Sequence, residues 1–152
     1  MNVTQIELIS RSFEQLAPAS EATAAAFYHR LFELDPSLQP LFQHDLALQG
    51  RKFMTMLAVV VRGLDALDRL LHDVENLGRR HVAYGVKDSH YQTVESALLW
   101  AIQDRLGTSW TPAVGEAWTT AYRLLADTMQ RAARDVPDDA LADSADIPHR
   151  FE

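Results

Sequence analysis

The chain has 152 residues, 47% of them hydrophobic, which is enough for one domain with a single buried core. It contains no cysteine, which excludes disulfides, thiolate catalysis and thiolate-held metals. The net charge of -7 argues against a nucleic-acid partner, because phosphate binding relies on clustered Lys and Arg. No apolar run approaches the roughly 20 residues that cross a bilayer, and the start lacks a signal-peptide pattern. We therefore expect a cytoplasmic protein with no membrane partner.

The negative charge is concentrated at the end of the chain. Residues 137–152 contain five acids and one base, so this stretch carries four of the seven excess negative charges. From Val136 onward, two prolines and many small or acidic residues are typical of disorder. We predict one folded domain over residues 1–135 and an acidic, disordered tail over residues 136–152.

Apolar residues recur with the period of a helix along nearly all of the first 135 residues, and no segment alternates as a strand does. The connections between these segments are too short for a second domain. The fold class that this predicts is all-α, with six or seven helices. The long helices are expected at about residues 4–16, 20–34, 48–64, 67–84, 88–106 and 112–135, with a short one at about 36–42.

Capping residues predict where several of these helices begin and end. Thr4 and Glu7 have the spacing of a capping box at the start of the first helix. Asp35-Pro36 and Thr111-Pro112 each predict a cap followed by a proline in the first helical turn. Gly107 predicts the end of the fifth long helix. The bend after the short helix, at residues 43–45, is hydrophilic.

The segment from Leu77 to Val86 places one histidine, His81, in an apolar and basic helix that Gly85 is predicted to end. A lone imidazole cannot build a structural zinc site, but it can hold one axial position of a haem, whose porphyrin supplies four nitrogens. A ligating ring must be neutral, and its other N–H needs an acceptor such as the Leu77 carbonyl one turn earlier. The alternative is an ordinary satisfied or exposed histidine. That plainer interpretation is the favoured one for His29, His44, His72, His90 and His149.

Several ordered features resemble the globin family, in particular bacterial single-domain globins related to flavohaemoglobins and to neuroglobin-like globins. The resemblance covers residues 1 to about 135 and implies a globin fold around a haem pocket. The matching residues, at separations similar to those of the family, are Phe27-Tyr28, Leu31-Phe32, Asp35-Pro36, Leu41-Phe42, residues 49–53, residues 77–86, Ser89-His90-Tyr91, Ala117-Trp118 and Tyr122.

The resemblance implies a role for each matching residue around haem b, iron protoporphyrin IX. His81 would be the proximal ligand of the iron, and Tyr28 and Gln49 would donate hydrogen bonds to a bound gas. The residues implied to contact the haem or its propionates are Phe42, Phe53, Leu77, Val86, Lys52, Arg80 and Tyr91. No catalytic residue is implied. The plainer alternatives are a core aromatic for Tyr28 and a solvated helix start for Gln49.

The sequence departs from these relatives in ways that limit the functional prediction. Flavohaemoglobins continue into a reductase module, whereas this chain continues into the acidic tail, so we expect any electrons to come from an external reductase. Tyr91 matches a proximal tyrosine of that family, but its glutamate partner is missing between residues 124 and 134, which puts a peroxidase-like site in doubt. Gln49 in place of histidine argues against an iron held by two histidines, although His44 could in principle approach.

The implied function is reversible binding of dioxygen for storage, transport or supply, with nitric oxide, carbon monoxide and sulfide as further candidate ligands. One alternative is oxidation of nitric oxide to nitrate with a separate reductase. Another is a gas or redox sensor that acts as an interaction module. The sequence leaves these open, and it is compatible with a monomer or a homodimer.

Overall fold

The computed structural model describes residues 1–42, 45–83 and 86–135, and within these ranges it contains six α-helices and no strand. The prediction of an all-α fold with six or seven helices is confirmed. The α-helices are α1 (Val3–Leu16), α2 (Ser20–Leu34), α3 (Leu46–Gly63), α4 (Leu67–Ala83), α5 (Asp88–Leu106) and α6 (Pro112–Ala133). Short 3-10 helices cover Ala17–Ala19, Pro36–Leu41, Leu64–Ala66 and Gly107–Ser109.

Local capping places several helix ends where the sequence predicts them. Oδ1 of Asp35 accepts a 3.0 Å hydrogen bond from the backbone N–H of Ser37, at the start of the 3-10 helix over residues 36–41. Oγ1 of Thr111 accepts a 3.2 Å hydrogen bond from the backbone N–H of Val114, at the start of α6. α5 ends at Gly107, whose φ of 54° is a conformation that side chains disfavour.

The capping box predicted at Thr4 and Glu7 is wrong, because the first helix begins before Thr4. Asn2 is the N-cap: its Oδ1 accepts a 2.8 Å hydrogen bond from the backbone N–H of Gln5. In return, Oε1 of Gln5 accepts a 3.2 Å hydrogen bond from the backbone N–H of Asn2. The two amide side chains thus close the box two residues earlier than the Thr and Glu pattern indicates.

α3 begins at Leu46, about two residues earlier than predicted, because the Asp45 carboxylate accepts a 2.9 Å hydrogen bond from the backbone N–H of Ala47. Three predictions lie outside the described residues. They are the bend at residues 43 and 44, which includes His44, the helix end at Gly85, and the disordered tail over residues 136–152. The domain boundary near residue 135 stays a prediction.

The helices pack around one core, in which α4 with α6 and α2 with α5 form the two most extensive pairs. α3 lies against α2 and also contacts α4, while α1 packs on α6. Side chains with no solvent exposure, such as Phe27, Leu31 and Ile102, lie at the centre. Within the described ranges, none of the helices combines the length and apolar character that crossing a bilayer needs.

Candidate functional site

His81 is buried in the last turns of α4 and is only 2% exposed. Its ring atom Nδ1 lies 2.7 Å from the carbonyl oxygen of Leu77, one helical turn earlier. This is the hydrogen bond that the spacing of the two residues predicts. A backbone carbonyl only accepts hydrogen bonds, so Nδ1 carries the ring proton, and in the neutral ring Nε2 keeps its lone pair.

The electrostatic environment keeps the His81 ring neutral. Burial lowers the pKa of His81 to about 4, because the charged ring would lose its hydration. The hydrogen bond to the Leu77 carbonyl raises the pKa without reversing the effect of burial. The nearby positive charge of Arg80 lowers the pKa further. At physiological pH the side chain is therefore in the neutral form that can ligate a metal.

His81 lines an internal cavity of about 100 Å³ between α3, α4, α5 and α6. Its walls are mainly aliphatic and aromatic, with the polar atoms of a few side chains at the edge. Five of the sequence-predicted site residues meet here: Phe53, Leu77, His81, Val86 and Tyr91. Val60, Val74, Val94 and Met129 add apolar surface that the sequence did not assign to the site.

A pair of tyrosines forms one wall of the cavity. The hydroxyl of Tyr122 donates a 2.6 Å hydrogen bond to the backbone carbonyl of Tyr91, which joins α6 to the start of α5. Burial raises the pKa of Tyr91 to about 12, and the charge of Asp88 adds to the effect. Burial also raises the pKa of Tyr122 well above its usual range. Both phenols are therefore protonated and act as fixed parts of the wall.

His90 also lines this cavity, although its sequence context favours the plainer interpretation. Its Nδ1 accepts a 3.0 Å hydrogen bond from the backbone N–H of Lys87, so the ring helps to begin α5 as well. Burial lowers the pKa of His90, with Asp35 raising it and Lys87 lowering it. The one sequence signal for its position is that it directly precedes Tyr91 in the first turn of a helix.

Phe53 links the cavity to a cluster of aromatic rings on its far side. It stacks on Phe27, with ring centroids 4.7 Å apart and an interplanar angle of 8°. Tyr28 lies 6.4 Å from Phe53 and packs edge-on against Phe42 at 5.3 Å. Tyr28 and Phe42 thus lie near the cavity, behind Phe53, and are not among the residues that line it.

Two buried polar atoms on this side have no hydrogen-bond partner among the described residues: the hydroxyl of Tyr28 and Nε2 of Gln49. Both side chains are only 3% exposed. Gly50, next to Gln49, lies against the Tyr28 ring, with 3.8 Å between Cε2 and the position of a Cβ atom. Burial raises the pKa of Tyr28 well above its usual range, so its hydroxyl stays a donor. An unsatisfied buried donor costs about 1–3 kcal/mol, so both donors call for an acceptor that the described residues do not supply.

Lys52 and Arg80 lie on opposite walls of a surface groove of about 600 Å³ between α3 and α4. The groove has a mainly apolar floor, and Asp73 and Arg51 also line it. It shares four lining residues with the internal cavity: Met56, Val60, Val74 and Leu77. The cavity and the groove therefore adjoin along these four side chains, and Lys52 and Arg80 lie on the groove side.

The sequence model of the globin family matches residues 25–129, which include all the residues that line the cavity. The chain belongs to the globin family. This membership and the helical architecture together confirm the predicted globin fold. The roles of individual side chains stay predictions.

Similar globins come from distant organisms. The anaerobic nitrite reductase of Oryza sativa subsp. indica is 31% identical over 140 residues, which cover 86% of this chain and 97% of that protein. Neuroglobin of Danio rerio is 31% identical over 138 residues, which cover 82% of this chain and 87% of that protein. The flavohemoprotein of Bacillus subtilis is 29% identical and is matched over only 35% of its own length. The narrower prediction of a bacterial globin stays a prediction.

Among solved structures, a hexacoordinated haem protein from an anhydrobiotic tardigrade superimposes with a TM-score of 0.80. The match covers 89% of this globin and 96% of that protein at 17% sequence identity. At this identity the likeness concerns the fold alone, and it agrees with the helix arrangement described above.

Proposed function

We propose that this globin binds haem b, with His81 as the axial ligand of its iron. The observation that carries the proposal is the state of the His81 ring: buried, neutral, with Nδ1 donating to Leu77, at the wall of an apolar cavity. This arrangement makes Nε2 the ligating atom and fixes the ring orientation. The family membership and the haem protein of the same fold support the proposal.

The residues around His81 suit an amphiphilic, planar group. The cavity alone is smaller than the roughly 300–1,000 Å³ of typical ligand pockets, but it adjoins the α3–α4 groove, with which it shares four lining residues. Apolar contacts to the group would come from the cavity walls, and Lys52 and Arg80 at the rim would face its propionates. Exposed ion pairs of this kind contribute only about 0–1 kcal/mol, so they orient the group more than they retain it. The side chains proposed to hold it are Phe53, Leu77, Val86 and Tyr91 in the cavity wall, together with Phe42 from the neighbouring aromatic cluster.

When bound, the haem supplies a ferrous iron at which a diatomic gas binds reversibly. Tyr28 and Gln49 would then donate hydrogen bonds to that gas, since each has a buried donor without a partner among the described residues. Such bonds favour dioxygen over carbon monoxide, because bound dioxygen draws more negative charge. We propose reversible dioxygen binding, for storage, transport or supply in the cytoplasm, as the function.

The test is a visible spectrum of the purified protein with hemin, after reduction and exposure to dioxygen. We expect a Soret band, and dioxygen that binds and is released without net oxidation. His81→Gly should lose haem and regain its spectrum with added imidazole. His72→Gly is the matched control, because His72 is exposed on the same helix. A His81→Gly protein with an unaltered spectrum and no added imidazole would refute the proposal. Absence of a Soret band in the wild type would favour an interaction module that binds no haem.

A second candidate is redox conversion of nitrogen oxides with electrons from a separate reductase. The rice relative that matches over 97% of its length is named a nitrite reductase, and the Bacillus relative is a flavohemoprotein. The same pocket would take nitric oxide or nitrite, and the polar donors Tyr28 and Gln49 would contact it. Many turnovers of nitric oxide with dioxygen, or of nitrite without it, in the presence of a reductant would establish this function. One stoichiometric reaction would leave gas binding as the function.

A further inference from the structure

Gly78 lies where the backbone of α4 comes very close to the backbone of α6. A Cβ atom on Gly78 would lie 2.4 Å from the carbonyl oxygen of Met129, 2.6 Å from its Cα and 2.8 Å from its carbonyl carbon. All three are backbone atoms, so no side-chain rotation can relieve the contact. A Cβ atom on Gly50, Gly63 or Gly115 would meet side-chain atoms instead, at 2.9 Å or more.

This crossing is next to the residues of the candidate site. Gly78 follows Leu77, whose carbonyl holds the His81 ring, and precedes His81 by less than one turn. Met129, on the other side of the crossing, lines the same cavity as His81. The contact between the two backbones therefore fixes the distance between the helix that carries His81 and the α6 wall of the cavity.

We propose that Gly78 is a positioning residue: by letting α4 rest on the backbone of α6, it sets where the His81 ring lies in the cavity. This rests on the proposed function, in which His81 is the ligand of the haem iron. A Cβ atom at position 78 would have to move by about 1 Å to reach the 3.4 Å of ordinary contact. A misplacement of about 1 Å can lower the rate that a reacting group supports about 100-fold.

The test compares haem-loaded Gly78→Ala with haem-loaded Gly63→Ala. The second variant is a matched control, because its new Cβ atom would meet only the flexible side chain of Leu70. Ala has the higher helix propensity, so a gain in propensity alone would not weaken haem retention in either variant. We expect Gly78→Ala to shift the iron–histidine stretching band in resonance Raman spectra of the ferrous protein. We also expect hemin loss about 10- to 100-fold faster, the range typical for groups that orient a metal ligand. Gly63→Ala should resemble the wild type in both measurements.

A cycle with His81→Gly separates positioning from general distortion of the pocket. In that background free imidazole is the ligand and is not tied to α4, so adding Gly78→Ala should leave the iron–imidazole band unchanged. A band shift of the same size in both backgrounds would overturn the proposal, because the effect would not pass through His81. An unchanged band in Gly78→Ala with His81 in place would overturn it as well.

If circular dichroism shows that Gly78→Ala does not fold, Ala132→Val decides the question. Ala132 is buried in α6 three residues after Met129, and α4 is the helix that α6 contacts most, so we expect a larger side chain there to separate the two helices by a smaller amount. We then expect a smaller band shift, and no shift would overturn the proposal. A wild type that takes up no hemin overturns the proposed function, and with it this inference. A wild type with a normal Soret band and an unresponsive Gly78→Ala overturns the inference alone.

Discussion

The indole nitrogen of Trp118 donates a 2.9 Å hydrogen bond to Oγ of Ser12, joining α6 to α1 across 106 positions of the chain. Oγ of Ser12 in turn donates to the backbone carbonyl of Leu8 at 2.7 Å. Both side chains are buried, and neither lines the cavity around His81. The pair therefore holds the fold together at a distance from the candidate site.

We expect Ser12→Ala to lower the free energy of unfolding by about 1–3 kcal/mol, because the indole N–H of Trp118 is then buried without an acceptor. Urea denaturation measures the change. Ser10→Ala is the control, since it makes the same replacement in the same helix at a half-buried position. Dioxygen affinity should not change in either variant. Equal unfolding energies for Ser12→Ala and Ser10→Ala would show that the hydrogen bond contributes nothing.

Tyr28→Phe removes a buried hydroxyl that has no partner among the described residues. If that hydroxyl donates to bound dioxygen, removing the hydrogen bond destabilises the bound state by about 1–3 kcal/mol. Dioxygen release then becomes roughly 5- to 150-fold faster. Stopped-flow measurement of the release rate checks this. Carbon monoxide release should change much less, since that ligand is a weaker acceptor.

Tyr122→Phe is the matched control for Tyr28→Phe, because the Tyr122 hydroxyl already donates to the Tyr91 carbonyl. We expect it to lower stability and to leave dioxygen release close to that of the wild type. Dioxygen release from Tyr28→Phe at the wild-type rate would assign Tyr28 to the core alone.

Gln49→Leu tests the second buried donor, since Leu keeps the bulk of Gln49 and removes its amide. We expect faster dioxygen release here too. Two donors to one ligand are coupled, so the effect of the double variant with Tyr28→Phe should differ from the sum of the single effects. If the changes in the activation free energy of dioxygen release simply add in the double variant, Tyr28 and Gln49 do not share a ligand.

Much of the fold could be predicted because its signals are local. The caps at Asp35 and Thr111 follow from side chains that bond to backbone two or three residues away. The bond between His81 and Leu77 is equally local, since both lie on one face of α4 one turn apart. The error at Thr4 is local as well: amide side chains can close a capping box in the same way as Thr and Glu.

The rest of the site depends on contacts between helices, which a periodic pattern does not specify. The approach of Gly78 to the backbone of Met129 joins residues 51 positions apart. The sequence predicts an ordinary satisfied or exposed histidine at position 90, yet packing of α5 places the His90 ring at the cavity wall. The side chains of Lys52 and Arg80 share a groove only because α3 and α4 lie side by side. Such pairings are set by tertiary packing.

The pKa of His81 in the haem-free protein sets the pH range over which the ring can bind a metal. Its value of about 4 lies below the ordinary 6.5, since burial disfavours the charged ring. Between these values the unfolded chain binds a proton that the folded chain does not, so stability falls as pH falls through this window. The full difference corresponds to about 3 kcal/mol. The neutral, ligating form of His81 therefore persists well below pH 6.5.

We accordingly expect the Soret band to stay constant from pH 7 to about 5, because iron bound at Nε2 can only lower the pH at which His81 takes up a proton. A pH titration of the absorbance, with circular dichroism recorded on the same samples, measures this and separates loss of ligation from unfolding. A titration of the Soret band with a midpoint near 6.5, while the helices remain folded, would contradict the burial of His81. In that case the ring would be reached by solvent, and the neutral state on which the proposed ligation depends would need another cause.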